Sequence, residues 1–189
     1  MAAVTKLERL REVALDQHGL VTTAQAVKEG VSHAELSTMV ARTRLERVAH
    51  GVYRVPQVAA TEFDQHRLAL LWTGAPEACL SHDTALAAWD ISDINPDLIH
   101  VTVARSRRIR RAGGEHYVIH HDDVDPRRVT WWQGMRTVDV PAAISQCISS
   151  GVPTYLIRQA LDRSGRTSRL RAPERERLTR LLEARDAGA

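Results

Sequence analysis

The stretch that decides the fold is Val21-Thr-Thr-Ala-Gln-Ala-Val-Lys-Glu-Gly-Val-Ser-His-Ala-Glu-Leu-Ser-Thr-Met-Val-Ala-Arg42. It reads as two short helices joined by a tight turn. Thr22 or Thr23 caps the first, because a hydroxyl there accepts from an otherwise unpaired backbone N–H. Gly30 ends it, since glycine takes the left-handed conformation that closes a helix. Ser32 caps the second. In this helix-turn-helix pattern the second helix lies in the DNA major groove.

Helical phasing gives that second helix a direction. At about 100° per residue, Leu36, Met39 and Val40 share one side. Ala34, Ser37, Thr38, Ala41 and Arg42 share the other, a small and hydroxylated face suited to base edges and phosphates. Glu35 sits at the margin, where it would repel phosphate or accept from a cytosine.

Working outward, Leu45-Glu-Arg-Val-Ala-His-Gly-Val-Tyr-Arg-Val55 holds two β-favouring runs around His50-Gly51, the signature of a hairpin. A hairpin after a helix-turn-helix makes a winged helix. Upstream, residues 6–18 form an amphipathic supporting helix stopped by Gly19, and Leu20-Val21 adds a short strand to the wing. Pro56 ends the hairpin, and Val58 to Glu62 is a linker. The expected domains are therefore 1–56 and 63–189.

The second half reads as mixed α and β. Helices are expected over 62–72, from Ser81 (as cap) to Trp89, from Pro141 to Ser149, from Pro153 to about Arg163, and from Pro173 to Arg185. The last has Leu178, Leu181 and Leu182 as its stripe. Strands are expected over 98–103, 116–121 and 135–140, and Gly165 to Arg171 reads as polar and flexible. The fold class is α+β, an N-terminal winged helix-turn-helix followed by a mixed α/β domain.

Composition narrows the function. Apolar residues make up 43% of the 189, enough for a packed core, and the formal net charge is only +3. Its distribution is uneven. Residues 56–103 carry 1 basic and 7 acidic groups, whereas 104–136 carry 8 basic and 4 acidic. A basic face suits nucleic acid and an acidic one a basic protein. Cys79 and Cys147, both in apolar contexts read as helical, lack CxxC spacing and are expected as buried free thiols. No run approaches the ~20 apolar residues of a membrane span, and no signal-peptide core is present. A cytoplasmic protein is expected.

Known catalytic motifs are missing. There is no GxSxG elbow, P-loop, GxGxxG turn or HExxH helix. Lys6 and Lys28 are the only lysines, so a lysine-dependent nuclease core in the second half is excluded. His120-His121-Asp122-Asp123 is no metal site by spacing, because neighbours in a strand face opposite ways. His82, just inside a helix start, reads as structural. No catalytic residue, metal or cofactor is expected.

The chain resembles the AbiEi-type antitoxins of bacterial abortive-infection toxin–antitoxin systems. Leu20–Ala26, Gly30-Val-Ser32 and Leu45–Val55 resemble the family's winged-helix N-terminus. Leu80-Ser-His-Asp-Thr-Ala-Leu86, Asn95–Val103, the arginine-rich loop and Gly134–Pro141 resemble its C-terminal domain. The likeness covers roughly residues 6–165, and Ser164 to Ala189 departs from it. It implies an autorepressor whose first domain binds inverted repeats in its own promoter. It implies a second domain needed to neutralise a nucleotidyltransferase-type toxin encoded beside it. The nuclease-like extension of some relatives is not expected here.

The candidate DNA contacts follow. Ser37, Thr38 and Arg42 read or approach bases, and Arg44, Arg47 and Arg54 hold phosphate. Thr23, Gln25, Ser32 and His33, at the two helix starts, complete the first-domain set. Arg105, Arg107, Arg108, Arg110 and Arg111, five arginines in seven residues, add a further DNA contact. The acidic segment 56–103 helps meet a basic toxin. Two other classes remain. One is a stand-alone regulator whose second domain senses a small molecule; the other is an enzyme built on His82, His120 and His121.

Overall fold

Thr5 opens the first helix by a reciprocal cap. Its hydroxyl accepts from the Glu8 N–H, and the Glu8 carboxylate accepts from the Thr5 N–H. The structure, a computed structural model, describes residues 4–188. Helix α1 runs Lys6–Leu15 and buries Leu10 and Ala14. Gly19, at φ +80°, then turns the chain into β1 (Leu20–Thr22).

The two-helix stretch forms as its sequence dictates. Thr22, rather than Thr23, caps α2 (Thr23–Lys28), with Gln25 closing the box. Gly30, at φ +78°, ends it, and the Val31 N–H reaches back to the Ala26 carbonyl. Ser32 and Glu35 make the matching box at the start of α3 (His33–Ala41). Strands β2 (Glu46–Ala49) and β3 (Val52–Arg54) follow, joined through Gly51 at φ +68°. The sheet order is β1-β3-β2, antiparallel throughout. Leu10, Ala14, Val21, Ala26, Val31, Leu36, Leu45 and Val55 form one buried cluster. Each fully buried leucine there contributes roughly 1.5–3 kcal/mol of transfer free energy.

Helix α4 (Asp64–Thr73), placed by the sequence reading after the linker, packs with β1 and β3. The chain accordingly divides into a unit running to Ala75 together with Ile109–Gly114, and a unit of Pro76–Arg108 with Glu115 onward. The reason is local. Arg54 of β3 donates to Asp64 at the start of α4, across the residues expected to be a linker. At the other end of α4, Gly74 takes φ +67°. The Arg111 guanidinium lies where a side chain at Gly74 would go, and it donates to the Trp72 carbonyl at 2.7 Å.

The second unit is a five-stranded sheet with helices. Its strands are β4 (Cys79–Leu80), β5 (Ile99–Val103), β6 (Tyr117–His121), β7 (Val129–Trp132) and β8 (Met135–Val138), in the order β6-β5-β4-β8-β7. The β5–β6 and β4–β8 pairs are parallel; β4–β5 and β7–β8 are antiparallel. Its helices are α5 (His82–Ala88), α6 (Val140–Ser149), α7 (Thr154–Arg166) and α8 (Ala172–Ala187). Leu86, Ile144, Cys147, Ile157, Leu178 and Leu182 belong to its core.

Several expectations are corrected here. Cys79 lies in a central strand, not a helix; its two-residue strand is too short to show a period. Strand β7 lies outside the expected strands: Val129-Thr-Trp-Trp132 is a half-exposed edge without inward–outward alternation. Ser81 does not cap α5 through its side chain, which is buried and engaged elsewhere. Helix α7 continues to Arg166, into the stretch read as flexible, and Leu170 beyond it is buried. On α8, Leu178 and Leu182 are buried but Leu181 is 38% exposed, so the stripe is narrower than expected. Among the described residues no helix is long and apolar enough to cross a membrane.

Candidate functional site

Helix α3 presents the face that its phasing predicts. Leu36 is buried and Met39 and Val40 are half-buried, while His33, Ala34, Ser37, Thr38, Ala41 and Arg42 are exposed. The Ser37 and Thr38 hydroxyls donate back to the His33 and Ala34 carbonyls, at 3.0 and 2.9 Å. With their protons so used, the exposed oxygens keep lone pairs free to accept. Arg42 caps the helix end, and Arg44 and Arg47 stand exposed on the loop and the first hairpin strand. The face thus combines small side chains with cationic ones at its margin.

Other candidates are used internally. Arg54 is only 17% exposed, donates to Asp64 and to the Val58 carbonyl, and cannot reach out for phosphate without breaking both. Gln25 accepts from the Thr22 N–H and donates to Gln17. Ser32 is committed to Glu35. Thr23 donates weakly to the Gly51 carbonyl, at 3.4 Å. Glu35 is not free to meet a base or phosphate, because Lys6 grips its carboxylate at 2.7 Å. The Lys6 and Ser32 hydrogen bonds hold its pKa down to about 2.

The arginine-rich loop is divided in its commitments. Arg107 forks onto Glu77 with bonds of 2.7 and 2.8 Å, and Arg105 pairs with Asp122. Arg108 donates to the Arg105 and Arg107 carbonyls. Arg111 is held by Trp72, and Arg110 is exposed. A pair such as Arg107–Glu77 presents little net charge to a phosphate.

The second unit brings together His82 and His120, two of the three histidines of the enzyme alternative, with His100 in place of His121. His82 at the start of α5, His100 on β5 and His120 on β6 each bring a ring nitrogen within 4.8 Å of the others. His120 Nε2 lies 3.1 Å from His100 Nδ1. The His82 and His120 rings stack at 3.5 Å, 11° from parallel. Thr102 pairs across from His120, so His100 sits two residues away on the same face of the sheet. His121 points the other way and is exposed, as alternation requires. Burial lowers the pKa of all three, His82 to about 3, with His120 and His100 adding to that shift. The partners are 18 and 20 residues apart in sequence, so no local spacing could betray them; only the parallel β5–β6 register does.

The comparisons bear on the first unit. Residues 8–56 match the family described as "Transcriptional regulator, AbiEi antitoxin". The resemblance read from the sequence holds over that segment. It spans α1 to the end of the hairpin, the cluster built on Leu10, Leu36 and Val55. No curated protein matches the chain. Among solved structures, the RV2827C protein from Mycobacterium tuberculosis is similar at a TM-score of 0.50 and 14% identity. That alignment covers 98% of this chain and 79% of the other. At such identity the likeness concerns the fold. The AbiEi match supports a regulator role.

Proposed function

We propose that residues 1–56 form a winged helix-turn-helix that binds double-stranded DNA in the chain's own promoter and represses it. On this reading α3 enters the major groove and the β2–β3 hairpin is the wing. His33, Ser37, Thr38 and Arg42 approach bases, and Arg44 and Arg47 hold the flanking phosphates. The observation that carries the reading is the exposed Ser37–Thr38–Ala41–Arg42 face, inside a segment that matches an antitoxin regulator family. Arg54 is left out, because its charge is spent on Asp64.

The second part of the proposal is that the region 63–189 neutralises a nucleotidyltransferase-type toxin encoded beside it, with no catalysis of its own. Asp90, Asp93 and Asp97, exposed in the second unit, support it by offering acidic groups to a basic partner. A ligand-sensing regulator is the second reading. An open cleft of about 770 Å³ in the second unit, lined by Trp89, Arg128, Asp139, Arg169 and Glu174, favours it.

One experiment separates the two. The adjacent gene is induced alone, then with the full chain. The promoter fragment is titrated with the same protein in a mobility-shift assay. Growth arrest relieved by the chain, together with a promoter shift weakened by Arg42→Ala, fits the antitoxin. A promoter shift with no toxicity to relieve leaves the stand-alone regulator. No promoter binding at low salt overturns both.

A further inference from the structure

Three imidazoles in mutual reach are an unusual use of half-buried space. Neutral histidines can hydrogen-bond in pairs, and His120 and His100 do so at 3.1 Å. The third ring, stacked on His120 and tilted from His100, has no such partner within the pair. His82 instead meets Ser81 Oγ through Nδ1 at 3.1 Å, and Ser81 Oγ accepts from the Thr102 hydroxyl at 2.8 Å. The Ser81 and Thr102 hydroxyls are both buried. They engage Nδ1 of His82, so that Nε2 is the nitrogen left to ligate.

The scaffold around the rings is rigid. The Ser81 N–H donates to the His100 carbonyl, the His100 N–H to Thr84 Oγ1, and the His82 N–H to Gln146. His82 itself takes φ +50°, a conformation seldom adopted outside glycine, asparagine, aspartate and histidine. The start of α5 is thereby pinned over the β5–β6 face that carries the other two rings.

Donor chemistry and spacing fit a divalent transition ion. Two nitrogens bound to one tetrahedral zinc lie about 3.3 Å apart, given Zn–N bonds of about 2.0–2.1 Å. The His120–His100 separation of 3.1 Å is close to that. The third nitrogen, within 4.8 Å, has further to come. Parallel stacked rings cannot aim both lone pairs at one ion, so His82 must turn out of its stack on binding. Asp83 and Asp122 lie near enough to favour positive charge at these rings. The neutral imidazole is the form that ligates.

We infer that His82, His100 and His120 form a three-imidazole site for a divalent transition cation of the zinc class, with Ser81 orienting His82. Three nitrogens leave a fourth position for water or for a donor from a bound partner. The Nδ1–H of His82 then donates to Ser81 Oγ, the outer hydrogen bond that ligating histidines commonly make. This site is independent of the DNA-binding reading and lies in the other unit.

The test uses the full chain, stripped with a chelator and titrated with Zn²⁺ alone by calorimetry. One equivalent bound at micromolar zinc is expected, with a raised thermal midpoint. His100→Ala and His120→Ala should each weaken binding by more than about 100-fold. His121→Ala, on the opposite face of the same strand, should bind as the wild type does. Should either ligand variant fail to fold, imidazole NMR of the wild type decides. Zinc should shift the His82, His100 and His120 rings and remove the stacking effect between His82 and His120. No stoichiometric binding, binding that survives loss of His100 or His120, or shifts confined to other histidines would each overturn the inference.

Discussion

The Lys6 ammonium lies 2.7 Å from the Glu35 carboxylate, joining the first turn of α1 to the first turn of α3. The same carboxylate accepts from the Ser32 N–H and hydroxyl. One glutamate therefore closes a cap, complements a helix dipole and ties the start of α3 to the start of α1. That is a positioning role for a residue whose margin location suggested contact with DNA.

The first prediction concerns acid stability. The Glu35 pKa is held at about 2, first by Lys6 and then by Ser32, below the ordinary carboxylate value. A group depressed in the folded state stabilises above its unfolded pKa, and that stability is lost as pH falls toward the folded value. The first unit should therefore weaken between about pH 4.5 and pH 2. Glu35→Gln should be less stable at pH 7 and show a shallower loss over that window, read by thermal melts. Ser32→Ala should cost ~1 kcal/mol at neutral pH by loss of the cap. A Glu35→Gln melt as steep in acid as that of the wild type would remove Glu35 from this role.

Arg54 and Asp64 yield a second prediction, which sets stability against binding. Burial pushes the Asp64 pKa up, but hydrogen bonds from Thr61 and Arg54 outweigh it and leave the net value lowered. Both side chains are less than a fifth exposed. Arg54→Ala should cost roughly 2 kcal/mol, because Asp64 is left with a charge and fewer partners. Promoter affinity measured well below the melting point should change little. A large affinity loss in a fully folded Arg54→Ala protein would return Arg54 to the interface.

What the sequence made legible was local. The caps at Thr22 and Ser32, the turn at Gly30, the hairpin at His50-Gly51 and most helices of the second half are encoded within a few residues. What it hid depends on distant pairing. The β4 strand is too short to show a period, and β7 is an edge whose aromatics face solvent in part. Arg54 looks like a free cation until α4 folds back onto it. The histidine cluster exists only because β5 and β6 run parallel, with Thr102 set opposite His120.

The cysteines give a third prediction. Burial raises the Cys79 thiol to about 11, and raises that of Cys147 further, helped by the nearby Asp83 carboxylate. The thiolate is the nucleophile, so neither should react while the chain is folded. A colourimetric thiol reagent at pH 8 should label neither in buffer and both in denaturant. Rapid labelling of Cys147 in the native protein would mean that the α5–α6 packing opens readily.

The last prediction concerns salt. Each phosphate contact releases condensed counterions, so removing one lowers the slope of log affinity against log salt by about 1. Arg44 and Arg47 are exposed and pair with no carboxylate among the described residues, whereas Arg107 is forked onto Glu77. Arg44→Ala and Arg47→Ala should each flatten the slope by about 1 across promoter and scrambled DNA alike. Arg107→Ala should leave it unchanged, since removing a neutralised charge removes no counterion release. Arg42→Ala should differ from both. Deleting a bidentate hydrogen bond to a base costs ~1–3 kcal/mol on the promoter and much less on scrambled sequence. Equal affinity losses on the two DNAs would make Arg42 a phosphate ligand and leave base reading to Ser37, Thr38 and His33.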